Sequence, residues 1–229
     1  MSGPKSEHIE DFAAHEWCNK LLSDPSITHI SKRHIPDKRL KAVSNAFFTR
    51  TLFTDDAVRA FLSLYRPGRG QRREIDERED EIFTGDAPIH EELSPRNHEA
   101  EVQRQNAKEE KTYDLNDPDA PESFILVSLG NDVDGGIRRL HGGMTATLID
   151  QSMGQLLSHF YEVTSATAEL TVRYKKAVTT PCILLIRAKV RKEKGRWIET
   201  VAWVEDGQGT VFAEGEGAFV LGKIGTTKL

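Results

Sequence analysis

Residues 140–158, LHGGMTATLIDQSMGQLLS, constrain this chain more than any other stretch. They read as an uncharged helix interrupted by one carboxylate, Asp150, and they open on His141, Gly142 and Gly143. Paired glycines weaken a helix interior by about 1 kcal/mol each, so they belong at its start. There they leave backbone N–H groups without intrahelical acceptors, at the positive end of the helix dipole. A negative charge that develops at such a place is stabilised. Asp150, alone on a mostly apolar helix, is expected to be held away from water unless another group pairs with it. The combination points to an oxyanion site and a functional carboxylate.

A single distance governs how the two features cooperate. Gly142 and Asp150 are eight residues apart, hence about 12 Å apart along one helix. A reacting carbonyl needs its donors and its base each within about 3 Å. One copy of the helix therefore cannot serve one substrate with both groups. Two copies related by a two-fold axis, with their helices side by side and antiparallel, would bring the glycine end of one to the aspartate of the other. Ala146, Thr147 and Gly154, slim residues at helical spacing from Asp150, permit such an approach.

Downstream, the pattern is that of successive strands. Residues 167–174 alternate Ala168, Leu170, Val172 and Tyr174 with Glu169, Thr171 and Arg173, the period of a half-buried strand. Residues 182–191, 197–205 and 210–221 follow, separated by the turn sequences Lys192-Glu193-Lys194-Gly195 and Asp206-Gly207-Gln208-Gly209. With a further strand at 124–129 and a turn-rich loop at 130–136, the pattern is α+β: an antiparallel meander able to curl around the preceding helix. Upstream, residues 10–23 suit an amphipathic helix ended by Asp24-Pro25-Ser26, and residues 27–41 read as a connector. Residues 45–53 suggest a strand. Thr54 then resembles the cap of a helix over 57–65, which Pro67 and Gly68 stop. From about 68 to 121 the chain is rich in charge and poor in large aliphatics, as in a solvated insertion. The basic group Arg69, Arg72 and Arg73 is followed at once by acidic residues and belongs to that solvated segment.

Composition excludes several classes. Hydrophobic residues are 38% of the chain and charged ones 29%, which fits a core plus a polar segment. The net charge of −5 argues against general nucleic-acid binding. Cys18 and Cys182 are too few for a disulfide framework and suit a reducing compartment. No apolar run is long enough for a membrane span. A cytoplasmic location is expected, with a peroxisomal alternative because Thr227-Lys228-Leu229 is one residue from the Ser-Lys-Leu address.

The sequence HGGMTATLIDQSMG resembles the HGG…D…G signature of hotdog-fold acyl-CoA thioesterases, in the branch of the phenylacetate-pathway thioesterase and thioesterase superfamily member 4. The likeness continues through Thr167-Ala168-Glu169-Leu170, Arg173-Tyr174-Lys175-Lys176 and Gly195-Arg196-Trp197 to about residue 221. It implies a single hotdog domain, an antiparallel sheet wrapped around a central helix. That domain would span 45–229, be interrupted by the insertion and be preceded by a helical extension over 1–44. It also implies a homodimer, with a tetramer as a further option, and a role in lipid metabolism. Asp150 occupies the position of the catalytic carboxylate, as general base or as nucleophile. Thr167 resembles a hydroxyl that orients water or that carboxylate, and His141 is expected to orient the glycine turn instead of taking protons. Arg173, Lys175, Lys176, Arg196 and Trp197 lie where the family holds coenzyme A, whose phosphates suit Arg and Lys. Coenzyme A is then part of the substrate, with no separate cofactor or metal. The family often has proline after YKK, where this chain has Ala177.

Each assignment has a plainer counterpart. Asp150 can be a structural carboxylate, the glycines a tight turn, Thr167 a good β-former and the basic residues a solvated strand end. The competing functions are a non-hydrolytic acyl-CoA-binding or regulatory hotdog protein and a hotdog dehydratase. The second would need a His–Asp or His–Glu pair, and none is evident.

Overall fold

The computed structural model describes residues 7–33, 45–68, 110–161 and 163–222. Most of the charged insertion, the basic group at 69–73 and the C-terminal tripeptide lie outside them. Ten strands and three α-helices are present among the described residues. In chain order these are α1 (Glu10–Ala13), α2 (Glu16–Leu22), β1 (His29–Lys32), a π-helical turn (Phe47–Thr51), β2 (Val58–Arg66), β3 (Glu110–Thr112) and β4 (Glu122–Leu129). There follow β5 (Asp134–Gly136), β6 (Arg139–Leu140), α3 (Gly142–Tyr161), β7 (Ser165–Tyr174), β8 (Cys182–Lys194), β9 (Trp197–Glu205) and β10 (Val211–Leu221). The main sheet is antiparallel in the order β1-β2-β4-β8-β9-β10-β7, with β3 paired to the far end of β8. Strands β8, β9 and β10 form a meander. β7 departs from the expected succession: it pairs with β10 at the sheet edge, so the chain crosses back to the middle to begin β8.

Helix α3 packs against β2, β4, β7, β8, β9 and β10. Leu148, Ile149, Met153, Leu156 and Leu157 are wholly buried there, and each such side chain contributes about 1.5–3 kcal/mol of burial. Close approach to β10 depends on Gly215 and Gly217. A methyl group on Gly215 would overlap Ile149 Cγ2, and one on Gly217 would lie 2.7 Å from Met153 Sδ. The alternating partners Glu214 and Glu216 point to the other face, where they meet Lys175 and Arg173.

Two segments near the N-terminus exchange their expected structures. In place of the expected helix over 57–65 the chain forms strand β2 (Val58–Arg66), and residues 45–53 hold the π-helical turn, not a strand. The cause is burial on both faces of β2. Phe61 and Tyr65 join the cluster around α3, whereas Ala60, Leu62 and Leu64 join a second cluster with Phe12, Cys18 and Ile27. An edge-free strand covered on both faces loses the polar half of its period-two pattern. Thr54 still accepts the Ala57 N–H at 2.9 Å, as a cap would, but the chain then extends. The expected helix over 10–23 is broken into α1 and α2 by the extended His15. Within the expected connector, residues 29–32 form edge strand β1.

These N-terminal residues are part of the fold's interior. Arg33 forms a bidentate pair with Glu7 at 2.7 and 3.0 Å and donates to the carbonyls of Phe48 and Val58. Glu7 also accepts the Phe61 N–H at 3.0 Å. α1 and α2 thereby cover the face of β2, β4 and β8 opposite α3.

Candidate functional site

His141 caps α3. Its carbonyl accepts the Thr145 N–H at 3.1 Å, its own N–H donates to Val133 O, and its Nδ1 accepts the Gly143 N–H at 2.8 Å. A neutral ring that accepts at Nδ1 carries its proton on Nε2. This arrangement gives Gly143 a structural reason. A Cβ there would lie 2.9 Å from His141 Nδ1 and 3.0 Å from Cε1. Gly142 is less constrained, since a Cβ would meet only the Tyr174 ring at an ordinary 3.4 Å. The Tyr174 hydroxyl donates to the Gly142 carbonyl at 2.9 Å. Of the amides expected to be bare, that of Gly143 is engaged by the imidazole. Among the described residues nothing accepts from the N–H groups of Gly142 and Met144, on either side of it.

Asp150 is half-buried in the same unbroken helix, so its axial distance from Gly142 is about 12 Å. Its Oδ1 accepts from the Thr167 hydroxyl at 2.7 Å. Strand parity alone would not give this bond. Leu170 and Val172 of β7 pack on the core around α3, and a residue three positions from Leu170 on a regular strand faces the other way. Between Ala218 and Phe219 the β7 partner steps from Glu169 to Thr167, leaving Ala168 as an extra, unpaired residue. That bulge re-aims Thr167 toward the helix.

The face of α3 carrying Asp150 is the less buried one. Gly143 is exposed, Ala146, Thr147, Asp150, Gln151, Gly154 and Ser158 are half-buried, and a Cβ on Gly154 would meet nothing within 4 Å. Next to that face, β7 has a neighbour only on its β10 side among the described strands.

The basic and aromatic residues expected at a coenzyme A site fall into two groups. Lys175 and Lys176 donate their backbone N–H groups to Phe212 O, at the Gly142 end of β7. Arg196 and Trp197 lie at the Thr167 end, with Trp197 opposite Val220 and Arg196 Nε donating to Leu221 O at 2.7 Å. On β10 the partner of Arg173 is Glu214, six residues from Val220, or about 20 Å along the strand. Arg173 is ion-paired with Glu216, which holds the guanidinium above its ordinary range, and Lys175 is paired with Glu214. Both side chains are on the sheet face away from Gly142. Neither thiol is set up as a nucleophile, because burial pushes Cys18 and Cys182 up to about 12. Among the described residues no three His, Cys, Asp or Glu side chains are grouped to hold a metal ion, and no helix is long and apolar enough to cross a membrane.

Sequence reasoning missed Tyr174 as a site residue and missed the bulge. Tyr174 sits at the inward phase of the alternation in β7, which was the available signal. A bulge at an alanine left none.

Comparison with known proteins agrees with the segment that carries these features. Residues 138–213 match the family model described as Thioesterase superfamily. Among solved structures, a thioesterase superfamily protein is 26% identical over 43% of this chain, with a TM-score of 0.40, and the match spans 48% of that protein's length. A Bacillus halodurans protein solved with CoA is 24% identical over 56% of this chain and 87% of its own, with a TM-score of 0.41. A Streptococcus pneumoniae hypothetical thioesterase solved with coenzyme A is 15% identical over 50% of this chain and 89% of its own, with a TM-score of 0.42. No curated protein matches the chain. The stretch that is similar to the Thioesterase superfamily model, residues 138–213, is the one that holds α3, Asp150 and Thr167.

Proposed function

We propose that the protein is an acyl-CoA thioesterase that hydrolyses its substrate to free CoA and a carboxylic acid, in a hotdog domain whose active site is shared across a homodimer. The observation that carries this reading is the Asp150–Thr167 pair on the open face of α3, in a helix whose first turn keeps the Gly142 and Met144 amides unengaged. A thioester carbonyl gains charge only on attack, so those two N–H groups stabilise the transition state more than the bound substrate. Thr167 occupies Asp150 Oδ1 and leaves Oδ2 to accept a proton from water or to attack the carbonyl. His141 Nδ1 is engaged by Gly143, so the imidazole orients the turn and leaves proton transfer to Asp150.

The dimer follows from the separation of the two ends. The helix start, Tyr174 and Lys176 lie at one end of β7, and Asp150, Thr167, Arg196 and Trp197 lie toward the other. Antiparallel approach of two α3 helices through their small residues, beside the open edge of β7, unites one end of each copy with the opposite end of its partner. Coenzyme A is part of the substrate in this reading.

Thiol release from a panel of acyl-CoAs by wild type and Asp150→Asn tests the proposal. Near-complete loss in the variant, with the dimer intact by sedimentation, is the expected result. Gly142→Ala keeps the backbone N–H but sets a methyl group beside it, and is expected to lower kcat by crowding the oxyanion's approach to that donor, with KM little changed; complete loss of one such contact, about 100- to 1,000-fold, bounds the effect. Equal turnover by wild type and Asp150→Asn removes the carboxylate from the mechanism. Tight acyl-CoA binding by a wild-type protein with no turnover would favour the non-catalytic binding protein instead.

A further inference from the structure

The geometry points to the β5–β6 hairpin as the anchor for the nucleotide end of coenzyme A, with Arg138 and Arg139 holding its phosphates together with Lys176. This assignment rests on the acyl-CoA reading above and moves the phosphate contacts away from Arg173 and Lys175. Those two cations are each committed to a glutamate of β10 on the far sheet face. Arg138 and Arg139 are both exposed, and among the described residues neither has a carboxylate against its guanidinium. Arg138 Nε reaches only the Thr180 carbonyl, at 3.5 Å.

The hairpin is held in place from below. Arg138 takes the left-handed backbone conformation, φ 52°, and its N–H donates to Asp134 Oδ2 at 2.9 Å. The other oxygen of Asp134 accepts from the Thr180 hydroxyl. A non-glycine residue in that conformation is retained where its surroundings fix it. The Leu140 N–H donates to Val178 O at 3.0 Å, which sets Arg139 beside the loop that carries Lys176. Arg138 and Arg139 lie on the segment that runs into α3, Lys176 follows Tyr174, whose hydroxyl meets the Gly142 carbonyl, and among the described residues none of the three has a carboxylate partner. Guanidinium groups bind phosphate oxygens in pairs of charge-assisted hydrogen bonds.

Ile137, at the hairpin tip, is 98% exposed, an apolar surface on which a purine base can rest. The same chemistry, an apolar tip flanked by arginines, would also meet an acidic carrier protein. A tip of three residues presents far less than the roughly 800 Å² per side that a stable protein interface takes. The nucleotide is the occupant of matching size.

The test uses the full chain and the double variant Arg138→Asn/Arg139→Gln, since asparagine tolerates the left-handed backbone. Calorimetry with CoA itself is expected to show binding by wild type and a roughly tenfold or greater weakening in the variant, and the loss should shrink with added salt. With acyl-CoA the variant should raise KM by a similar factor and keep kcat. With the matching acyl-pantetheine, which lacks the nucleotide, wild type and variant should agree. Equal losses on both thioesters would reduce the hairpin to a structural support and overturn the inference, as would wild-type protein that does not bind CoA. A large effect confined to acyl-carrier protein, with CoA binding unchanged, overturns it in favour of the protein partner. CoA binding that depends on the arginines in a protein without turnover sinks the thioesterase reading and leaves this one standing.

Discussion

Replacing Thr167 by valine separates a structural hydroxyl from one that serves the reaction. Valine keeps the shape and the β-preference of threonine, so β7, its bulge at Ala168 and the pairing of position 167 with Phe219 are retained. What is lost is one hydrogen bond, from Thr167 Oγ1 to Asp150 Oδ1 at 2.7 Å. A bond to an ionised group contributes about 1.5–3 kcal/mol. If the hydroxyl keeps Asp150 in its reactive orientation, that energy is missing from the transition state, and at 1.36 kcal/mol per decade kcat falls roughly 10- to 150-fold. KM changes little, because neither atom holds the coenzyme. Thr167→Ser restores the donor and should recover most of the rate, which a merely structural methyl contact would not explain. Thiol release followed across substrate concentrations gives kcat and KM separately. A Thr167→Val enzyme within twofold of wild type in kcat would refute the reasoning.

Other expectations concern the frame around the site. Gly215→Val should overpack the seam between β10 and Ile149, destabilising the protein by about 1–3 kcal/mol; a thermal melt should drop by roughly 2–4 °C per kcal/mol at this chain length, and an unchanged melt would show that α3 has room to shift. Glu7→Ala leaves the Arg33 guanidinium, whose side chain is 2% exposed, without its carboxylate; removing one partner of a buried pair costs about 3–5 kcal/mol, measurable by urea unfolding. Asp11 is held below the usual carboxylate range by the Arg59 guanidinium first, and by the Ser128 hydroxyl. A depressed folded value gives stability that is present above the ordinary carboxyl range and lost as pH falls through the folded value. Asp11→Asn should therefore flatten the acid limb of a stability-against-pH curve and leave its neutral side lower.

The C-terminal half was legible because its elements obey one rule each. β9 has the boundaries its turn residues announce, and β10 and β7 begin within two residues of the expected places. The helix is announced by its glycines and its uncharged run. Between residues 45 and 66 the same rules misread the chain, since β2 is apolar on both faces and so reads like a helix. Pairing across the sheet is likewise silent in the sequence. The proximity of Thr167 to Asp150 depends on an extra alanine, Ala168, between the residues paired with Ala218 and Phe219, and no local preference marks it. At the helix start, His141 and the glycines were visible as a group, but which amide the imidazole would occupy became plain only from its geometry.

The N-terminal layer bears on how large an assembly can grow. With Phe12, Cys18 and Ile27 seated on Leu62, Leu64, Phe124 and Leu126, the back of this half of the sheet is already sealed by the chain's own beginning. Back-to-back stacking of two sheets through that half would have to displace it, and with it the Glu7–Arg33 clasp. Further association of the proposed dimer would thus be steered to the charged ladder on β9, β10 and β7 or to the helix side, and removing α1 and α2 would reopen the blocked route.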